Sequence, residues 1–168
     1  MTGTAPDRLA DGPFAAALDA IASDAPAPGA GAAGGMALAL GLACARKAIA
    51  ITLKHGAHAD LTAAATHLAG LTDQALAGAA ADARSFALYV AAAEAGDRAA
   101  ERQGLDDLVA VGGNIIAIAD EARAMILGIR SLVLPRMADD VAASLRLIAA
   151  ARDIHVACVA DSARALNP

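Results

Sequence analysis

Residues Gly29 to Ala45 read GAGAAGGMALALGLACA, the longest apolar run in the chain. How this stretch is read decides the fold. At seventeen residues it falls short of the ~20 needed to cross a bilayer. It is richer in Ala and Gly than in Leu or Ile, and it stops at the pair Arg46-Lys47. The other reading is a helix packed inside protein. Its small residues Ala33, Ala37, Gly41 and Ala45 recur every four positions, so they share a face that lets a second backbone come close. Met36, Leu40, Leu42, Ile49 and Leu53 fill the larger gaps. A helix over about Ala32 to His55 is expected, buried by other helices or by a second copy of the chain.

The rest of the composition agrees. The 168 residues are 58% hydrophobic, 18% charged and 2% aromatic, with no Trp. Alanine alone is close to a third. Alanine is the best helix former and a poor strand former, so a β-sandwich or barrel is all but excluded. A chain with this much to bury is not disordered. Its length fits one domain. The net charge of −5 excludes a strongly basic nucleic-acid binder. No Lys/Arg cluster exceeds Arg46-Lys47, so there is no polybasic patch for a membrane surface. Cys44 and Cys158 each sit in apolar sequence and read as small buried hydrophobes, not a disulfide. The opening residues, MTGTAPDRLADG, carry no basic n-region of a signal peptide, and the apolar run lies too far from them to serve as one. A soluble cytoplasmic protein is expected.

Working outward, residues 1–12 read as a loose leader and 13–168 as a single helical domain. Asp11-Gly12-Pro13 starts a short first helix, about Pro13 to Ser23, with Phe14, Leu18 and Ile21 on one side. Asp24 to Gly31, DAPAPGAG, cannot be regular helix. After a turn at Gly56 to Ala59, a long helix runs from about Asp60 to Ala95. Its apolar stripe is Leu61, Leu68, Ala75, Ala79, Phe86 and Tyr89. Gly96-Asp97 breaks it, and a polar stretch continues to Gly104. A further helix follows from about Leu105 to Leu132, with a kink expected at Gly112-Gly113. Beyond Pro135 a last helix covers about Arg136 to Leu166. No segment alternates with period two long enough for a strand. The fold class is all-α: an up-and-down bundle of five to six helices with close Ala/Gly packing.

Two features point to chemistry. In the loop, the glycines flanking Pro28 let backbone approach a ligand, and the next helix offers free N–H donors at its N-terminus. The plain alternative is a helix–helix connector. Asp82 falls on the apolar stripe of the long helix, so an acid sits on a face that is otherwise buried. Such a carboxylate either pairs with an Arg on a neighbouring helix or does proton chemistry. Asp139 and Asp140 suit the start of the last helix, where its dipole favours acids. His55 and His58 lack the carboxylates of a metal site, and no metal is expected.

The same residues resemble the folate cyclodeaminase/cyclohydrolase family, which includes the cyclodeaminase domain of formiminotransferase-cyclodeaminase and the bacterial methenyltetrahydrofolate cyclohydrolases. Phe14, Leu18, Ile21 and Ala22 match its opening helix. Ala27-Pro28-Gly29-Ala30-Gly31-Ala32 matches its Pro-Gly-Gly-Gly-Ser-like loop, with Ala30 in place of a glycine and Ala32 in place of the serine. Leu53-Lys54 and Asp82-Ala83-Arg84-Ser85-Phe86 match further segments. The likeness weakens in the last third, where Asp140 stands near a later family aspartate and His155 replaces an asparagine.

The resemblance implies an enzyme acting on a one-carbon-substituted tetrahydrofolate, with Asp82 catalytic. It implies that Pro28, Gly29, Gly31, Lys54, Phe86, Asp140 and His155 bind the reduced folate or pterin. Arg46, Lys47 and Lys54 would meet a glutamate tail. It also implies no metal or redox cofactor, and a homodimer with its site near the interface. The other class is a non-catalytic or substrate-diverged dimeric bundle that keeps the fold alone. A space into which Asp82 and the loop backbone both point separates the first class from an inert bundle.

Overall fold

The computed structural model describes residues 12–167; the expected leader lies outside them except for Gly12. Five α-helices form: α1 (Pro13–Ile21), α2 (Ala30–Leu53), α3 (Ala59–Ala95), α4 (Arg98–Ile129) and α5 (Ala138–Leu166). Short 3₁₀ turns at Arg130–Leu132 and Pro135–Met137 join the last two. The described residues contain no strand. The expected all-α bundle is what forms.

Helices α2 to α5 make a ring in which α2 packs on α3 and α5, and α4 packs on α3 and α5. Each neighbouring pair is antiparallel. Gly31 of α2 meets Asp82 of α3 and Gly35 meets Ala79, while Gly34 meets His155 of α5 and Gly41 meets Ile148. The core is one cluster with Leu38, Leu42, Ile49, Leu61, Leu68, Ile115, Ile126 and Ile148 at its centre. Leu71 and alanines fill the rest.

The helix foreseen from the apolar run exists and starts at Ala30. By length and composition α2 could cross a membrane. In the bundle, however, residues such as Leu38, Leu42, Ala45 and Ile49 are buried against its neighbours. Gly41 and Ala45 of the expected stripe are buried, but toward the start of the helix the close approaches shift off it. There Gly34 and Gly35 carry them, whereas Ala33 and Ala37 are only half-buried. A Cβ on Gly35 would lie 2.8 Å from the Cβ of Ala79, which shows how near α2 and α3 come.

The structure corrects two expectations. The polar stretch after Gly96 is not a loop: α3 and α4 are separated by Gly96-Asp97 alone. Gly96 takes the left-handed conformation (φ 70°) that ends α3. Asp97 then caps α4, its Oδ1 accepting from the N–H groups of Ala99 and Ala100 at 3.1 and 3.0 Å. With both signals back to back, the polar residues up to Gly104 become the first turns of α4. Likewise α4 runs unbroken through Gly112-Gly113. Gly104 lies against Tyr89 and Gly112 against Val159, so these glycines serve helix contact and not a break.

At the far end of the bundle the Leu134 N–H donates to Thr52 Oγ1 at 3.1 Å, Arg136 meets His55, and Lys47 lies 3.4 Å from Asp140. These contacts pin the α4–α5 connection to α2.

Candidate active site

The loop between α1 and α2 delivers Gly29 as the N-cap of α2. No side chain caps this helix, and its own first turn holds no acid. Its leading N–H groups and the positive end of its dipole therefore look outward for a partner. Asp82 is that partner. It comes from the middle of α3, is 7% exposed, and its carboxylate rests on Gly31. A Cβ on Gly31 would fall 2.1 Å from Oδ1. Only a glycine permits this approach.

Two opposing effects set the acidity of Asp82. Burial pushes its pKa up, and the Ala32 N–H, bonding to the carboxylate, partly offsets the rise. Burial wins. No Arg or Lys pairs with Asp82, so the salt-bridged alternative for this acid does not occur among the described residues. A carboxyl held above the usual range keeps its proton to a higher pH than an exposed one, which suits a group that gives and takes a proton.

A cavity of about 260 Å³ opens beside it. The loop and the first turn of α2 supply Pro26, Gly29, Ala30 and Gly31. Helix α3 supplies Asp82 and Phe86, α4 supplies Leu108, and α5 supplies Cys158, Asp161 and Ser162. Phe86 also stacks at a tilt on Tyr89, ring centres 5.9 Å apart. Burial and the Asp82 and Asp161 charges keep the Cys158 thiol up, so it stays protonated and is a poor nucleophile. The walls are mostly apolar, with two acids, Asp82 and Asp161, and no cation among the lining residues. The described residues contain no cluster of three metal-ligating side chains. A larger groove lies between α3 and α4, near Gly78 and Ile115. It is more open and holds no buried acid.

Of the residues singled out in the sequence, Asp82, Gly29, Gly31 and Phe86 meet at this cavity. Pro28 is half-buried behind it, after a cis peptide from Ala27, and Pro26 lines the wall instead. His155 is 0% exposed and lies beneath the first turns of α2, not in the wall. Lys54 and Asp140 do not come to this cavity within one chain. Lys54 caps the C-terminal end of the 24-residue α2, about 36 Å from its start. Asp140 sits at that same far end against Lys47. Sequence reasoning missed Cys158, Asp161, Ser162 and Leu108. For Cys158 a signal existed, since it follows His155 by three residues and so shares its helix face.

Residues 13–160 match the model of the formiminotransferase-cyclodeaminase family. No curated protein matches. Among solved structures, the chain is similar to the crystal structure of formiminotetrahydrofolate cyclodeaminase from Thermotoga maritima. The TM-score is 0.82 at 17% identity, over 89% of this chain and 77% of that one. At that identity the likeness is one of fold.

Proposed function

The chain belongs to the formiminotransferase-cyclodeaminase family, and from that premise we propose that it is a folate cyclodeaminase-type enzyme of one-carbon metabolism. Its substrate would be a reduced folate carrying a formimino group on N5. One observation carries this reading: Asp82 is buried, unpaired by any cation, and opens onto the same cavity as the backbone of Gly29 to Gly31.

The chemistry follows from that pairing. N10 of the folate attacks the formimino carbon and closes a five-membered ring. Asp82 as carboxylate takes the proton from N10. It then returns that proton to the amino group on the same carbon, which leaves as ammonia, giving the 5,10-methenyl product. One C–N bond forms, one breaks, and no electrons change hands, so the reaction as written needs neither a metal nor a redox cofactor. Both the substrate amidine and the product are cationic. The Asp82 and Asp161 carboxylates suit them, and stabilisation of the cation strengthens in a site shielded from water. The backbone at Gly29 to Gly31 and the ring of Phe86 would flank the pterin. The cavity is smaller than the roughly 300–1,000 Å³ of drug-sized ligand sites, so it takes the reacting end of a folate and leaves the tail outside.

The homodimer belongs to this proposal too. A helix apolar all round is normally covered all round. On α2, however, Leu40 is 47% exposed, and Met36, Ala37 and Cys44 beside it are only half-buried. A second copy would cover that side, and could bring the far-end Lys54 toward a partner's cavity. A cytoplasmic location suits the two free cysteines.

The test supplies 5-formimidoyl-tetrahydrofolate and follows ammonia together with methenyl absorbance. One ammonia per methenyl formed supports a cyclodeaminase. Loss of absorbance from added methenyl-tetrahydrofolate, faster than in buffer, would point to a cyclohydrolase. No reaction in either direction would leave the family fold without its chemistry.

A further inference from the structure

The cavity beside Asp82 has no cation among its lining residues and takes only the reacting end of a folate. The glutamate tail left outside carries two carboxylates. Lys47 and Lys54 stand at the opposite end of the chain and do not reach them within one protomer. A second hollow of about 330 Å³ opens at the cavity's own end of the bundle. Arg98, Glu101, Arg102 and Leu105 of α4 line it, with Ala165 and Leu166 of α5.

The two hollows lie on one seam. On α4, Arg98, Glu101, Leu105 and Leu108 follow one another at steps of three or four residues, so they share a helix face. Leu108 ends that stripe in the wall of the Asp82 cavity. On α5, Cys158 and Ser162 of the cavity wall continue at the same spacing into Ala165 and Leu166 of the second hollow. Because α4 and α5 are antiparallel, both stripes lead the same way, outward from the cavity. Leu105 is buried and gives the track an apolar floor between its two ends. From Leu108 to Arg102 is six residues, about 9 Å along the helix axis. The flat p-aminobenzoyl unit of a folate spans such a gap.

At the outer end the charges divide. Arg98 is the first residue of α4, where the helix dipole disfavours a cation, and it donates to Glu101 at 2.9 Å. Glu101 thus engages one arginine and leaves the other. Arg102 is exposed, and no carboxylate pairs with it among the described residues. We propose that Arg102 binds the glutamate carboxylates of the folate tail, which reaches it along the Leu108–Leu105 track. A guanidinium fork matches a carboxylate in shape and charge. This placement of the tail rests on the folate reading of the Asp82 cavity. It also has a sign. Loss of the Arg102 charge weakens the hold on the tail. Loss of the Glu101 charge removes a repelling carboxylate and releases Arg98, so it strengthens that hold.

The experiment measures binding of two probes to full-length protein by calorimetry at low salt, with thermal melts to establish that each variant is folded. The probes are 5-formyl-tetrahydrofolate and 6-methyl-tetrahydropterin, which has the reduced pterin but no tail. Arg102→Gln is expected to weaken the folate about fivefold and to leave the pterin unchanged. Glu101→Gln is expected to tighten the folate, again without effect on the pterin. Added salt should shrink both differences. Arg130→Gln, at the far end of α4, removes a positive charge elsewhere and should bind both probes as wild type does. Where turnover is measured, KM of Arg102→Gln should rise with kcat unchanged. Wild-type folate affinity in Arg102→Gln overturns the proposal. Equal weakening of both probes overturns it too, as does a loss confined to Lys54→Gln. A wild-type chain that binds neither probe sinks the folate reading and the tail site with it. Binding of both probes that Arg102→Gln leaves unchanged sinks the tail site alone.

Discussion

The Asp82 carboxylate occupies the space that any side chain on Gly31 would need: a Cβ there would lie 2.1 Å from Oδ1, 2.4 Å from Cγ and 2.5 Å from Oδ2. All three contacts are with the functional end of the acid. The helix N-terminus and the buried carboxylate are thus mutually dependent, since the glycine admits the acid and the acid answers the uncapped helix.

Gly31→Ala is therefore expected to displace Asp82 or the first turn of α2, at a cost of about 1–3 kcal/mol. Chemical denaturation measures it. Gly70→Ala is the control. Gly70 is exposed within α3 with nothing within 4 Å of a Cβ, so alanine there should add about 0.5–1 kcal/mol. Equal effects at the two sites would contradict the close contact.

The acidity of Asp82 also has a stability consequence. Its pKa is raised by burial above the ordinary 3.8. Between that value and the raised one, the folded chain holds a proton that the unfolded chain has released. Stability therefore falls as pH rises through this window. Asp82→Asn is expected to melt above wild type at neutral pH, with the difference closing as pH drops below about 3.8. A variant less stable than wild type at pH 7 would mean that the carboxylate is held by more than this structure contains.

His155 behaves in the opposite sense. Its pKa is lowered from the ordinary 6.5, so below 6.5 the unfolded chain binds a proton that the folded chain refuses. Stability should decline as pH falls from 6.5. His155→Gln should flatten that decline, as read from melting temperatures across the range.

The exposed side of α2 makes a prediction about assembly. Leu40→Glu places a charge at the centre of that side without entering the core. It is expected to convert a dimer into a folded monomer in sedimentation. A wild-type chain that sediments as a monomer at micromolar concentration would remove the dimer from the account.

Much of this was legible in the sequence, for reasons that also mark where legibility ends. The Gly29–Ala45 run gave its helix because length, small residues and a charged stop all agree. Asp82 stood out because an acid on the Ala75, Ala79, Phe86 stripe breaks a helical period. Period fixes a face but not what that face meets. That Asp82 would answer the N-terminus of α2 depends on the antiparallel register of α2 and α3, which no local pattern carries. For the same reason Cys158 and Asp161 were missed at the cavity, and Lys54 and Asp140 were grouped with a site at the opposite end of the bundle. The Gly96–Gly104 stretch misled because its polarity reads as loop, while the Gly-Asp pair supplies a complete helix stop and start in two residues. Gly104, like Gly112, lies against a neighbouring helix, and a glycine used for contact looks in sequence like one used for a break.

The most direct measurement of the central claim compares wild type with Asp82→Asn on 5-formimidoyl-tetrahydrofolate, following methenyl absorbance and ammonia together. Loss of positioned proton transfer is expected to lower kcat by about a hundredfold or more, with helical content retained and both products suppressed in step. Full turnover by folded Asp82→Asn would contradict the account and turn attention to Asp161, the other carboxylate that lines the cavity.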